Sequence, residues 1–327
     1  VAVVAFVAAL LACSSPAARV RVLTSATPPY IPAAAGWLQS VNYFRAMSGL
    51  APVTDDSTLA QGATNHSCYM LVNDMAHASR PGSPGYTPEG NQAGTNGNVA
   101  VSSVINTSER AFVELWMTGP FHAIGILRPG LTTASFGICD SPDTSKWHSA
   151  ATLDVLDGLI PQPAPTQPIL FPGNGTTTNL NRFLVETPNP LTACGWTGEA
   201  GLPVLAMMPE ATIGATATIS GPNGPLASCT VSAANTTGTS NQILDHDNVV
   251  VVIPRLPLSD GTYQVTIHTD ARDVRWTFNI DQAAAGTPPP RRWVAPRRSQ
   301  SPFVAGSIDD EMRPGAGRLS ARSPSAC

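Results

Sequence analysis

Charge is scarce in this sequence. Asp, Glu, Lys and Arg make up 12% of the 327 residues, about half the usual share. A single lysine, Lys146, is present and the net charge is -4. No broad cationic field follows from that balance, which argues against nucleic acid as a partner. Two arginine pairs, Arg291-Arg292 and Arg297-Arg298, could touch anionic surfaces weakly. The apolar run from Val1 to Ala12 is too short to span a bilayer as a folded helix. HExxH, GxSxG, SxxK and phosphate-cradling glycine motifs are all missing, so no nucleophile or phosphate chemistry announces itself.

What is present begins with a leader. Val1 to Ala12 has the character of a signal-peptide core, and Leu10-Leu11-Ala12-Cys13 reads as a lipobox. On that reading residues 1–13 direct export and a lipid anchor at Cys13 is the chain's contact with a membrane. Ordinary cleavage near Pro16-Ala17-Ala18 is the alternative, giving a freely secreted protein. Export puts the cysteines in an oxidising compartment. With Cys13 anchored, Cys68, Cys139, Cys194, Cys229 and Cys327 remain of the six. The pairs that keep each bridge within one domain are Cys68–Cys139 and Cys194–Cys229, with Cys327 left over.

The length suits two domains plus tails. After a linker over 14–35, residues 36–158 carry helical signals. Leu38, Val41 and Arg45 share a helix face that ends before Gly49. Asp55-Asp56-Ser57 is expected to cap a second helix carrying Leu59, Ala63, His66 and Met70. A Gly/Pro/Asn-rich loop fills Ser79 to Asn98, and Asn106-Thr107-Ser108 caps a third helix with Val113, Trp116 and Met117. Strand-like runs follow at Ser135–Cys139 and Trp147–Leu156.

Five prolines between Ile160 and Pro172 mark 159–173 as a stiff linker. Over 174–282 the apolar period changes to two, as in Val274, Trp276, Phe278 and Ile280, or Tyr263, Val265 and Ile267. Arg182–Glu186, Leu202–Met208, Ala215–Ser220 and Val249–Ile253 are further strand candidates. The expected fold class is α+β: an α/β/α sandwich followed by a small all-β, immunoglobulin-like sandwich. Residues 283–327 are too poor in apolar side chains to order themselves.

Five stretches over Gly36 to Asp157 together resemble the CAP superfamily, the SCP-like cysteine-rich secretory, antigen 5 and pathogenesis-related proteins, in its bacterial branch. They are Val41 to Val53, Asp74-Met75-Ala76-His77, Glu89-Gly90-Asn91, Trp116-Met117 with Pro120 to Leu127, and Phe136 to Cys139 with Trp147 to Val155. The resemblance implies a cleft lined by two histidines and two glutamates. His77, Glu89 and His122 fall on three of those positions. The fourth, shortly after the tryptophan, is Gly119, and Glu114 would point elsewhere because five helical steps rotate a side chain by about 140°. Ala123 replaces a common arginine.

Two imidazoles and a carboxylate form a zinc-like donor set, so zinc is the cofactor His77, Glu89 and His122 would hold. The competing reading ties those three to one another as a hydrogen-bonded scaffold. His66 is expected to pack a helix, with His148, His246 and His268 at the surface. The resulting expectation is an exported, non-enzymatic binder of a lipid, peptide or cell-wall component in the His/Glu cleft. A metal-dependent hydrolase and a structural surface protein with a relic cleft are the alternatives.

Overall fold

The computed structural model describes residue 31, residues 34–212 and 214–284, and the backbone of 303–306. The leader, Cys13, the arginine pairs and Cys327 lie outside the described residues.

In the N-terminal part the elements run α1 (Trp37–Met47), β1 (Thr54–Asp55), α2 (Ala60–Asn73), α3 (Pro88–Thr95), β2 (Gly97–Ser102), α4 (Glu109–Thr118), α5 (Pro120–Leu127), β3 (Thr133–Asp140) and β4 (Ser149–Asp154). Antiparallel β3–β4–β2 forms the centre of a sheet, with β1 parallel to β3 at one edge. Every residue of β2 and β4 is buried, as a sheet covered on both faces requires. The alternation sorts them. Val99, Val101 and Ala150 cluster with Tyr69, Met70 and Leu71 of α2, whereas Ala100, Ala151 and Leu153 cluster with α1, α4 and α5. Three layers result, helix over sheet over helix. The Cys68–Cys139 bridge pins α2 to β3, with Cα atoms 5.1 Å apart.

Several local expectations change. The second helix starts at Ala60 with no side-chain cap. Asp55 is in β1, and Asp56 Oδ1 accepts hydrogen bonds from the amide and hydroxyl of Thr58, closing a turn. Ser108 does cap α4, accepting from the Ala111 amide. Inside the expected loop, Thr87 caps α3 by accepting from the Gly90 amide, and Pro88 takes the first helical position, where its missing N–H costs nothing.

The C-terminal part has two sheets. One is ordered β10 (Ser228–Val231), β11 (Val249–Pro254), β7 (Val204–Met207) and β5 (Ile169–Phe171). The other is ordered β6 (Thr177–Thr178), β13 (Asp273–Ile280), β12 (Gly261–His268), β8 (Thr216–Gly221) and β9 (Gly224–Pro225). Helix α6 (Gly238–His246) precedes β11, and Cys194–Cys229 ties a short 3₁₀ turn at Pro190–Cys194 to β10.

Three expectations here need correction. The segment over 159–173 is not only a spacer, because Ile169, Leu170 and Phe171 form β5 and Phe171 is fully buried. Phe171 meets Phe44 of α1 edge-on at 5.9 Å. Arg182–Glu186 is not a strand; a single bridge links Arg182 to Gly201, and Pro188 and Pro190 deny the following stretch ladder donors. In the tail, 303–306 form β14, antiparallel to β2. Buried side chains from α1, α4 and α5 and from both C-terminal sheets belong to one continuous apolar cluster. The two parts therefore share a core.

Candidate functional site

The turn bearing His77 is anchored through His66. Helix α2 buries His66 completely, and its ring reaches across to that turn. His66 Nε2 donates to the Ala76 carbonyl at 2.8 Å, so Nδ1 accepts from the Ser79 hydroxyl at 3.0 Å. Burial pushes the His66 pKa down to about 4, partly opposed by the bond to Ala76. The Ser79 amide in turn donates to Asn91 Oδ1 at 2.8 Å, drawing α3 onto the same turn. His77 Nδ1 donates to the carbonyl of Gly94 at 3.0 Å. Gly94 has to be glycine, since a Cβ there would run into the His66 ring and the His77 carbonyl.

His122 stands in the first turn of α5. Gly119 and Pro120 open that helix without a side-chain cap of their own. The cap comes from elsewhere: Glu186 Oε1 accepts from the His122 amide at 2.8 Å and from His122 Nδ1 at 2.6 Å. Both side chains are sealed, at 1% and 0% exposure. An anionic carboxylate at a helix N-terminus gains from the orphan amides and the helix dipole. Asn98 of β2 fixes the other side by donating to the His122 carbonyl at 3.1 Å.

Glu89 belongs to a pocket instead. It lies exposed in the first turn of α3 and lines an open pocket of about 200 Å³ with Gln61, Asn65, Gln92, Asp154 and Asp157. Asp154 is buried at the pocket's base, its Oδ1 accepting from the amides of Leu156 and Asp157. Burial, reinforced by the neighbouring Asp157 carboxylate, pushes the Asp154 pKa up to about 7. Gln92 and Asn96 donate to the two oxygens of Asp157, both at 2.8 Å.

Among the described residues no group of three or more His, Cys, Asp or Glu side chains is arranged to hold a metal. Glu89 lines the pocket beside α2 and α3, while His122 Nδ1 bonds a carboxylate from the other part of the chain. Glu114 points elsewhere as expected, pairing with Arg110 at 2.8 Å and accepting from Asn179 at 3.3 Å. His268 is at the surface beside Asp273. Sequence reasoning missed Glu186. Its position among prolines, 64 residues beyond His122, carries no local signal for such a contact.

This layered fold, with its bridge from α2 to β3 and its histidines on the α2–α3 turn and α5, is that of a CAP domain. Residues 38–152 match the model of the cysteine-rich secretory protein family, CAP. No curated protein matches the chain. Among solved structures, PcoC, a methionine-rich copper resistance protein from Escherichia coli, aligns at 17% identity, covering 37% of this chain and 100% of its own, with a TM-score of 0.22. Its selenomethionine form aligns at 18% identity with the same coverage, 37% and 100%, and a TM-score of 0.21. Scores this low carry no argument about the chain. The family and the two disulfides fit an oxidising, extracytoplasmic setting. No helix among the described residues is long and apolar enough to cross a membrane.

Proposed function

We propose that this is an exported, non-enzymatic binding protein whose CAP domain receives a small polar ligand in the Glu89 pocket. One observation carries the reading. The open pocket combines three carboxylates, Glu89, Asp154 and Asp157, with the carboxamides of Gln61, Asn65 and Gln92, whereas His122 is sealed against Glu186. Carboxylates beside carboxamides suit a ligand bearing an ammonium group and hydroxyls, which matches a peptide or an amino-sugar fragment of a cell wall. A volume of about 200 Å³ accommodates one sugar ring or one amino-acid side chain, and its acidic lining disfavours a lipid tail.

Titrating the protein with an amino-sugar wall fragment and with its N-acetylated counterpart tests the reading. Saturable binding of the amine, weakened at least tenfold in Glu89→Gln and absent for the acetylated form, supports it. Equal binding of both forms, or extraction of lipid with no amine binding, overturns it.

A further inference from the structure

Gly119 and Glu186 meet. A Cβ built on Gly119 would lie 2.6 Å from Oε1, 2.8 Å from Cδ and 3.2 Å from Cβ of Glu186. The carboxylate thus occupies the volume that any side chain at 119 would need. Gly119 has φ -105° and ψ 124°, extended backbone that any residue adopts, so conformation does not require glycine there. Space does. The same carboxylate bonds both the amide and the ring of His122 through one oxygen, while Oε2 is buried without a hydrogen-bond partner among the described residues. Glu186 itself is 2% exposed.

From these contacts we infer that Glu186 takes the place of the carboxylate that the resemblance puts beside His122, reaching it from the C-terminal part through the gap that Gly119 leaves. Glu186 is a positioning residue: it closes the first turn of α5, fixes His122 with Nδ1–H as donor, and leaves Oε2 for a further donor. The His122 site then spans both parts of the chain. The site is incomplete in residues 36–158 alone, because its carboxylate lies outside them.

The inference is independent of the Glu89 pocket and is tested on the full chain labelled with ¹⁵N-histidine. The reporter is the His122 ring proton, which moves downfield in NMR when Nδ1–H is bonded to a carboxylate. Wild type is compared with Glu186→Gln, Gly119→Ala and the relocated pair Gly119→Glu/Glu186→Ala. The downfield signal is expected in wild type, displaced upfield in Glu186→Gln and in Gly119→Ala, where the added methyl evicts the carboxylate. It should return in the relocated pair, which a merely space-filling role for Glu186 would not produce. Absence of the signal in wild type, its persistence in Glu186→Gln or Gly119→Ala, or its failure to return in a folded relocated pair overturns the inference. Should the relocated pair not fold, the two single variants still decide the matter.

Discussion

Arg128, just after α5, and Asp247, just after α6, form an ion pair of 2.9 Å across the two parts of the chain, each side chain 9% exposed. Two guanidinium nitrogens reach the carboxylate, Nε at 3.1 Å and a terminal nitrogen at 2.9 Å. Burial pushes the Asp247 carboxyl up, but a bond from His246 and the Arg128 charge outweigh it and hold the pKa below the usual value. A depressed carboxyl stabilises the fold above its unfolded value near 4, and that contribution is lost as pH falls through the lower folded value. Asp247→Ala leaves a buried, unpaired guanidinium and should cost about 3 kcal/mol at pH 7. Urea unfolding read at pH 7 and pH 3 should show the variant's deficit shrinking at the lower pH.

His66 predicts an acid response of the same sign, in a higher pH window. Its pKa is lowered to about 4, so the neutral ring stabilises the fold above the unfolded value near 6.5, and the contribution is lost as pH falls from there towards 4. The full change is on the order of 3 kcal/mol. Denaturant unfolding at pH 7.5 and 4.5 should show this fall in wild type and a much flatter response in His66→Gln. A parallel fall in both proteins would remove His66 as the cause.

Asp154 runs the other way. With its pKa raised to about 7, stability from this group is complete below the unfolded value near 4 and is lost as pH rises through 7. Asn keeps the oxygen that accepts the amides of Leu156 and Asp157. Asp154→Asn should therefore match wild type at pH 4 and exceed it at pH 8 by up to about 4 kcal/mol. The same variant should weaken amine binding in the Glu89 pocket, since it removes a carboxylate from the base.

Arg45 is fully buried and bonds only carbonyls: Ala51, Ile126, Arg128 and Leu131, at 2.6 to 3.1 Å. Burial lowers its pKa to about 10, still far above neutrality. The fork holds the end of α1 against the end of α5, and a lysine cannot reach four carbonyls at once. Arg45→Lys should cost about 3 kcal/mol by leaving carbonyls unsatisfied. Thermal unfolding followed by circular dichroism measures it; a loss under about 1 kcal/mol would show that the carbonyls find other donors.

The helices and the central strands were legible because their cues are local. Leu38, Val41 and Arg45 repeat at helical spacing, Ser108 is a cap, and Trp276, Phe278 and Ile280 alternate along β13. The two disulfides also followed from chain position. Residues 38–152 could be placed by their motifs, including His77 and His122. What stayed hidden depends on distant partners. That Glu89 is exposed and lines a pocket with Gln61 and Asn65 of α2 depends on the packing of α3 on α2. β5 hid among prolines. β14 gains its order from an edge, β2, some 200 residues earlier in the chain. Glu186 was unreadable because the signal for it is a void at Gly119, and a void has no letter.

That void also ties the side chains allowed at 119 and 186 to each other. A side chain at 119 would collide with the Glu186 carboxylate, so the buried carboxylate at 186 fits only where nothing projects from 119. Splicing this CAP domain onto a different β unit would transfer half of an exchange, leaving α5 with an uncapped first turn and His122 without its acceptor. The chain is thus less modular than its two-part architecture suggests, because the boundary between its parts is crossed by polar contacts at Glu186, Asp247 and Asn179.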